Sequence, residues 1–408
     1  MDRCNLSANV AAKPHNSRYA MTLLQTLRPA TRDLDQSDIV AVINGARNKP
    51  GIVPLWVGEG DLPTPAFIIR AAKTAMDAGE TFYTWQRGIP ELREALADYH
   101  TRHYGIENDR ERFFVTGSGM QAIQLSLQAL SGVGDEVIMT TPCWPNIHAA
   151  TQVGGGVPVH VELDFSQNGW SLDIDKLFGA VTDRTRAMFI NSPANPTGWV
   201  APLETLRAIL EFARERGIWI IADEVYHRFV YDSDLAPSFY ELIEPEDRVI
   251  FVNTFSKNWA MTGWRAGWIS APPEIGQVLE NLIQYSTSGV APFTQKAAVT
   301  GLNDGEPFIA MQKERAQRNR DVMCDALTAT GRVELAKPAG AFYLFFKVPG
   351  YPDSKELALR IIEEANVGLA PGSGFYSGGS EFLRMCYLRD PAQIDEGAAR
   401  LVKFLEAL

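Results

Sequence analysis

The sequence predicts a three-layer α/β protein, with a mostly parallel central sheet covered on both faces and a smaller α+β domain beside it. Three observations predict it. Short, wholly apolar runs such as 218–222 and 249–253 alternate with helical segments, the pattern of strands buried on both faces. Chemically active residues fall just beyond the ends of those runs, where such sheets place their ligands. After about residue 295, long helices alternate with fewer strands.

The elements follow in order. Leu55 to Pro65 is a short apolar entry followed by turn residues. Residues 66–78 read as a helix with Phe67, Ile68, Ala71, Ala72 and Ala75 on one face, and Pro90 opens a helix marked by Leu92, Ala95, Leu96 and Tyr99. Residues 113–116 are a strand, Gly117-Ser118-Gly119 a turn and 120–130 a helix. Further strands are expected at 136–140, 157–163, 187–191, 218–222, 249–253 and 266–270, with a helix at 203–216 closed by Gly217. The C-terminal part reads as helix 307–329, strand 341–346, helix 354–365, strand 382–388 and helix 392–408. This gives a large domain of residues 66–300 and a discontinuous small domain of 31–65 and 301–408. Residues 1–30 form an extension expected to be flexible. It is poor in acidic residues and lacks the apolar segment of a secretory signal; a start at Met21 or an organellar presequence are the other readings.

A chain of 408 residues, 46% hydrophobic and 21% charged, has the balance of a soluble globular protein with an ample core. The net charge of -11 and the lack of a Lys/Arg-rich block argue against nucleic-acid binding. No apolar run is long enough to span a bilayer. Cys4, Cys143, Cys324 and Cys386 lack metal-like or disulfide-like spacing and read as free thiols in a reducing, cytoplasmic compartment.

The chemistry centres on residues 254–268. Lys257 sits among aromatic and small residues, with Thr254 and Ser256 before it and Arg265 after it. It fits either an ordinary surface turn or a desolvated amine with a lowered pKa, suited to a Schiff base with an aldehyde. In the second case Arg265 and the hydroxyls suit a phosphate dianion, and aldehyde plus phosphate suggests pyridoxal phosphate. Ser118, Gly119 and Met120 fit a plain tight turn or an anion cradle at a helix start. Asp223, just past an apolar strand, needs a cationic partner such as a protonated pyridine nitrogen. A metal held by Asp223 and Glu224 is the competing reading, which no His or Cys cluster supports. Tyr226 could reach the same ring. Asn195, in a loop fixed by Pro193 and Pro196, reads as a turn residue or a ligand contact. Trp144 fits core packing or stacking on a planar cofactor. Arg384 fits a structural ion pair or a clamp on a substrate carboxylate.

Together, Asn195-Pro196-Thr197-Gly198, Asp223-Glu224-Val225-Tyr226, the run from Ser256 to Arg265, Gly340-Ala341-Phe342-Tyr343 and Arg384 resemble the class I/II aminotransferases of the fold-type I pyridoxal phosphate enzymes. The resemblance runs from about Leu55 to Tyr387. By matching position, it implies that Lys257 forms the Schiff base and moves the proton at the substrate Cα. It implies that Asp223 pairs with the pyridine nitrogen, that Asn195 and Tyr226 bind the phenolic oxygen, and that Trp144 stacks on the ring. Ser118, Gly119, Met120, Thr254 and Arg265 are implied to bind the phosphate. Tyr83 resembles a tyrosine that reaches the neighbouring subunit's phosphate, which implies a homodimer with shared sites. Arg384 resembles the α-carboxylate clamp, and Gly58 a backbone contact near it.

Two positions depart from the family's pattern. Gly58-Glu59-Gly60-Asp61 stands where Gly-Glu-Pro-Asp is usual. Met120 stands where some aspartate-specific relatives carry a lysine for the distal carboxylate, which tilts the expected amino donor towards an uncharged one. The function implied is an aminotransferase passing an amino group from an L-amino acid to a 2-oxo acid. A lyase of the C–S β-eliminating kind shares the same first proton transfer and is the alternative. A transaminase-like DNA-binding regulator is disfavoured, because the roughly thirty residues that precede the family region are neither strongly basic nor helix-turn-helix in pattern.

Overall fold

The computed structural model describes residues 22–408. The expected extension lies largely outside the described residues, as does Cys4; from Thr22 on, it contains the short helical turns Leu23–Thr26 and Pro29–Arg32. Residues 36–408 form one compact unit, apart from residues 22–35.

Seven strands form the main sheet: β1 (Phe113–Thr116), β2 (Glu136–Thr141), β3 (Val157–Glu162), β4 (Thr185–Asn191), β5 (Trp219–Asp223), β6 (Val249–Thr254) and β7 (Gly267–Ser270). Their spatial order is 1-7-6-5-4-2-3. All neighbours are parallel except β7, which runs antiparallel to both β6 and β1. Because β7 alone is reversed, the carboxyl ends of the other six strands share one edge.

The apolar runs are continuous because the sheet is covered twice. Ile220 and Ala222 of β5 and Phe251 of β6 belong to one core cluster, while Ile221, Ile250 and Val252 belong to another. Alternate residues of one strand thus enter different cores, as the period of two requires. Helix Gly119–Leu130 packs on the second face through Ala122, Ile123 and Leu127. Helix Leu203–Arg216 packs on the first through Leu206, Ile209, Leu210 and Ala213, and stops at Gly217, whose φ of 67° is left-handed.

A four-stranded sheet contains Glu334–Leu335, Tyr343–Lys347, Phe382–Cys386 and Ala370–Pro371 in that order. The chain before the main sheet returns to this region: Val53 pairs with Val367, and the Leu55 amide donates to the Gly368 carbonyl at 2.9 Å. Gly340 marks where the C-terminal region meets the Asn195 loop. Its amide donates to the Gly198 carbonyl at 3.0 Å, and a Cβ there would lie 2.7 Å from Pro193 Cβ. The conspicuous glycine before Ala341 is therefore a requirement of close packing.

The element boundaries follow the sequence reading within a few residues. Helix Asp38–Ala46, helices Asn146–Gly154, Gly276–Ser286 and Pro292–Asp304, and the hairpin of Asp164–Ser166 with Gly169–Ser171 are additions to it. Cys143, Cys324 and Cys386 are buried and free. Among the described residues no helix is long and apolar enough to cross a membrane, and no group of three His, Cys, Asp or Glu is placed to hold a metal.

Candidate active site

A cavity of about 430 Å³ opens at the carboxyl edge of the main sheet. Its floor is made by residues that end strands or follow them closely: Asn191 and Asn195 after β4, Asp223 and Tyr226 after β5, Thr254 and Lys257 after β6, and Gly119 after β1. Trp144, Gly58, Met120, Arg265 and Arg384 also line it. Eleven of the thirteen residues singled out in the sequence thus meet in one space. Ser118 and Tyr83 are not among its lining residues.

Lys257 Nζ donates to the Gly58 carbonyl at 2.7 Å and lies 5.9 Å from the centre of the Tyr226 ring. Burial lowers its pKa to about 8, against the smaller opposing pull of Cys386, Glu59 and Asp223. At neutral pH a usable fraction of the amine is therefore unprotonated and nucleophilic. A carbonyl partner accepts a hydrogen bond from either protonation state and favours the ammonium less than a carboxylate would.

Among the described residues, no cationic group lies at hydrogen-bonding distance from Asp223. Its Oδ1 accepts one long bond, 3.4 Å, from the Val225 amide, and the residue is 4% exposed. Burial pushes its carboxyl up to about 7, with the Val225 amide and Lys257 pulling the other way. Its neighbour Glu224 is pushed up to about 8 by burial and turns away, accepting from Ser238 Oγ and the Phe239 amide. Asp223 alone faces the cavity with its charge unmet, and it would be stabilised by a cation brought to it.

Arg384 is also 4% exposed, and among the described residues no carboxylate pairs with it. Its Nη1 donates to Asn195 Oδ1 at 3.1 Å and its Nη2 to the Trp56 carbonyl, while Nε is buried without a partner. The guanidinium lies 4.7 Å from the Tyr343 ring centre and 5.0 Å from that of Phe375. A guanidinium so held, flanked by rings and neutral acceptors, retains its capacity for a planar anion.

Tyr226 and Tyr343 join these groups. Tyr343 donates its hydroxyl to the Gly58 carbonyl at 3.1 Å, so the 2.8 Å bond between the two hydroxyls is donated by Tyr226. Burial raises both phenols above their ordinary value, so both are neutral donors at physiological pH. Gly58 is the acceptor on which Lys257 and Tyr343 converge. The loop that carries it is fixed by Asp61, whose two oxygens accept from Arg315 at 2.6 and 2.8 Å. This ion pair defines the loop that Gly60 left open in the sequence.

The far end of the cavity suits an anion. Helix Gly119–Leu130 begins there, and its first amides have no intrahelical acceptor. Ser118 is its N-cap, with Oγ accepting from the Gln121 amide at 3.1 Å, so its hydroxyl is engaged in the helix start. Arg265 is exposed, has a left-handed φ of 54°, and donates through Nη1 to the Thr262 carbonyl at 2.6 Å. Thr254 Oγ1 is bonded within the fold, to the Ala266 carbonyl at 3.0 Å and to Ser256 Oγ at 2.9 Å. Ser256, the other hydroxyl that the sequence reading suited to a phosphate, lines the cavity beside it. Tyr343, Trp56, Phe375 and the residues Ile39, Val40 and Ile43 were missed. Tyr343 carried a signal, as a hydroxyl in the otherwise apolar run 341–346. Tyr83 is 92% exposed, beside Phe82 at 81% and Trp85 at 66%.

Comparison with known proteins bears on what this cavity is for. A family model described as aminotransferase class I and II matches residues 50–401. A probable aspartate/prephenate aminotransferase of Aquifex aeolicus is 35% identical over 364 residues, 88% of this chain and 92% of that one. The aromatic-amino-acid aminotransferase 2 of Thermococcus litoralis is 34% identical over 377 residues, 91% of this chain and 96% of its own. Among solved structures, a single mutant of the aspartate aminotransferase of Thermus thermophilus superposes with a TM-score of 0.86 at 33% identity, covering 92% of this chain and 99% of that one.

Proposed function

Since the chain belongs to the class I and II aminotransferase family, we propose that its cavity holds pyridoxal phosphate and that Lys257 is the amine through which an amino group passes from an L-amino acid to a 2-oxo acid. The observation that carries this reading is the convergence in one cavity of a desolvated amine, a buried carboxylate and a buried guanidinium. Among the described residues, none of the three is in a salt bridge. The donor set fits the cofactor. Asp223 lacks the cation that a protonated pyridine nitrogen supplies, and the helix start with Arg265 provides the donors a phosphate needs.

When bound, pyridoxal phosphate supplies an aldehyde carbon that takes up the amino group and a ring that accepts the electron pair released at the donor's Cα. The chain's residues do the rest. Arg384 and Asn195 hold the donor's α-carboxylate and so fix which Cα bond is broken. Lys257 Nζ would take the proton from the donor's Cα and hold it for return. Asp223 would pair with the protonated ring nitrogen. Tyr226 would turn its hydroxyl hydrogen from Tyr343 to the ring's phenolic oxygen, and Trp144 would stack on the ring. Gly119, Met120, Ser256 and Arg265 would hold the phosphate, with Thr254 bonded to Ser256 beside them.

The exposed rings around Tyr83 support a homodimer in which Tyr83 serves the other copy's phosphate, since apolar patches of this kind mark interaction surfaces. Buried free thiols at Cys143, Cys324 and Cys386 support a reducing, cytoplasmic setting.

The decisive experiment mixes the loaded enzyme with one amino acid and no oxo acid, following the visible cofactor absorbance. A single turnover that then stops is expected, with one equivalent of 2-oxo acid released. Continued release of product, or no change with any common amino acid, would remove the aminotransferase reading of this site. A second expectation concerns Arg384→Lys. Losing the two-pronged donor should raise KM for the amino donor roughly 10- to 100-fold, with a smaller effect on kcat. Steady-state kinetics with the donor varied would show it, and an unchanged KM would place the carboxylate elsewhere.

A further inference from the structure

Helix Asp38–Ala46 carries one broad apolar face, of Ile39, Val40, Val42, Ile43 and Ala46. Val42 and Ala46 enter the core at 1% and 6% exposure. Ile39 and Ile43 are half-buried against the same core, Val40 is 48% exposed, and these three also line the cavity. The helix is held firmly. Asp38 pairs with Lys355 at 2.7 Å and accepts from Ser373 Oγ at 2.8 Å. Ile39 packs so closely on Gly374 that a Cβ there would lie 2.6 Å from Ile39 Cγ1. The next residue, Phe375, carries the contact on to the Arg384 guanidinium. A continuous apolar wall therefore runs from the carboxylate clamp to the mouth of the cavity, and Val57, Met120 and Pro145 extend it.

The charges lining the cavity decide what that wall is for. They are Glu59, Asp223, Lys257, Arg265 and Arg384. If the function proposed above holds, which this inference presupposes, the cofactor takes Asp223, Lys257 and Arg265, and the α-carboxylate takes Arg384. The charge left over is Glu59, which repels a second carboxylate. The groove beside Tyr83 is formed by residues from Thr81 to Thr84 and from Thr287 to Pro292, with no Lys, Arg or His among them.

We infer that the amino donor carries an uncharged, apolar side chain, read by Ile39, Val40 and Ile43. An apolar side chain gains by leaving water against this wall, whereas the second carboxylate of aspartate would be desolvated without a partner. The inference parts this chain from the aspartate aminotransferases among its relatives and from the broad class to which the family assigns it.

Two measurements on the full-length loaded enzyme test it, with one variant. In single-turnover reactions, leucine or phenylalanine should convert the cofactor with at least about tenfold higher efficiency than aspartate, as a difference of side-chain burial allows. In calorimetry, which needs no turnover, 4-methylpentanoate and 3-phenylpropanoate should bind at least about tenfold tighter than succinate. Val40→Lys, at an exposed position, should raise the aspartate-to-leucine efficiency ratio several-fold. Equal or better use of aspartate by the wild type, tighter binding of succinate, or an unmoved ratio in the variant would each overturn the assignment. If no amino acid reacted while the apolar acids still bound preferentially, the aminotransferase reading would fail and the preference of the wall would stand.

Discussion

Lys257→Ala is expected to lower kcat by about 10⁴-fold or more while leaving the fold intact. The amine is asked to do two jobs, as the covalent anchor of the cofactor and as the base at Cα, and no neighbour can stand in for either. Tyr226 and Tyr343 are alternatives in the same cavity, but burial raises both phenols above their ordinary pKa, so both stay protonated at neutral pH and cannot take up the Cα proton. The structural cost of the change is small. Lys257 makes one side-chain hydrogen bond, to the Gly58 carbonyl, which Tyr343 also satisfies. Removing a desolvated amine also relieves a burial penalty. The thermal midpoint of the unloaded variant should therefore match that of the wild type within a few degrees. Borohydride treatment of the loaded wild type should fix the cofactor to the peptide containing Lys257 and to no peptide of the variant. A variant with substantial turnover, or with the same reducible adduct, would show that another amine does the work. Reaction of the unloaded wild type with a small aldehyde should rise with pH through about 8, the value to which burial brings this amine.

The site was legible in the sequence because strand ends are legible. The apolar runs of strands β4, β5 and β6 end in polar residues that stand out, namely Asn191, Asp223 and the pair Asn253 and Thr254. Asn195 and Lys257 lie within four residues of such ends. Other features were hidden for physical reasons. The reversal of β7 leaves no mark, since a buried strand has the same composition in either direction. Helix Asp38–Ala46, by contrast, was readable but not read: Ile39, Val42, Ile43 and Ala46 stand at one-face spacing after the cap residue Ser37. Tyr343 passed for core because it is core, fully buried, with only its hydroxyl turned to Gly58 and Tyr226. Thr254 and Ser256 exchange a hydrogen bond, and the sequence could not say which of the two hydroxyls is engaged with the Ala266 carbonyl.

Asp223→Asn should separate stability from activity. In the unloaded protein the folded-state pKa of Asp223 is raised by burial to about 7, against about 3.9 in an unfolded chain. Below pH 4 both states hold the proton, and the residue costs nothing. As pH rises from about 4 to about 7, the unfolded chain releases its proton while the folded protein keeps it, so stability falls, by on the order of 4 kcal/mol once both have ionised. Asparagine keeps the shape and does not titrate. The unloaded variant should melt close to the wild type at pH 4 and clearly above it at pH 8. Loading reverses the order. A protonated ring nitrogen supplies the cation that the buried carboxylate lacks, so the wild type should gain more from the cofactor than the variant, and the variant should lose on the order of 10³-fold in kcat. Thermal melts at the two pH values, with and without pyridoxal phosphate, and a single-turnover assay measure all of this. A variant that loads and turns over like the wild type would mean that the carboxylate is not the partner of the ring nitrogen. The expected crossing of the two stability orders has a simple origin: Asp223 is destabilising in the empty fold because it is placed for a charge that the polypeptide does not itself supply.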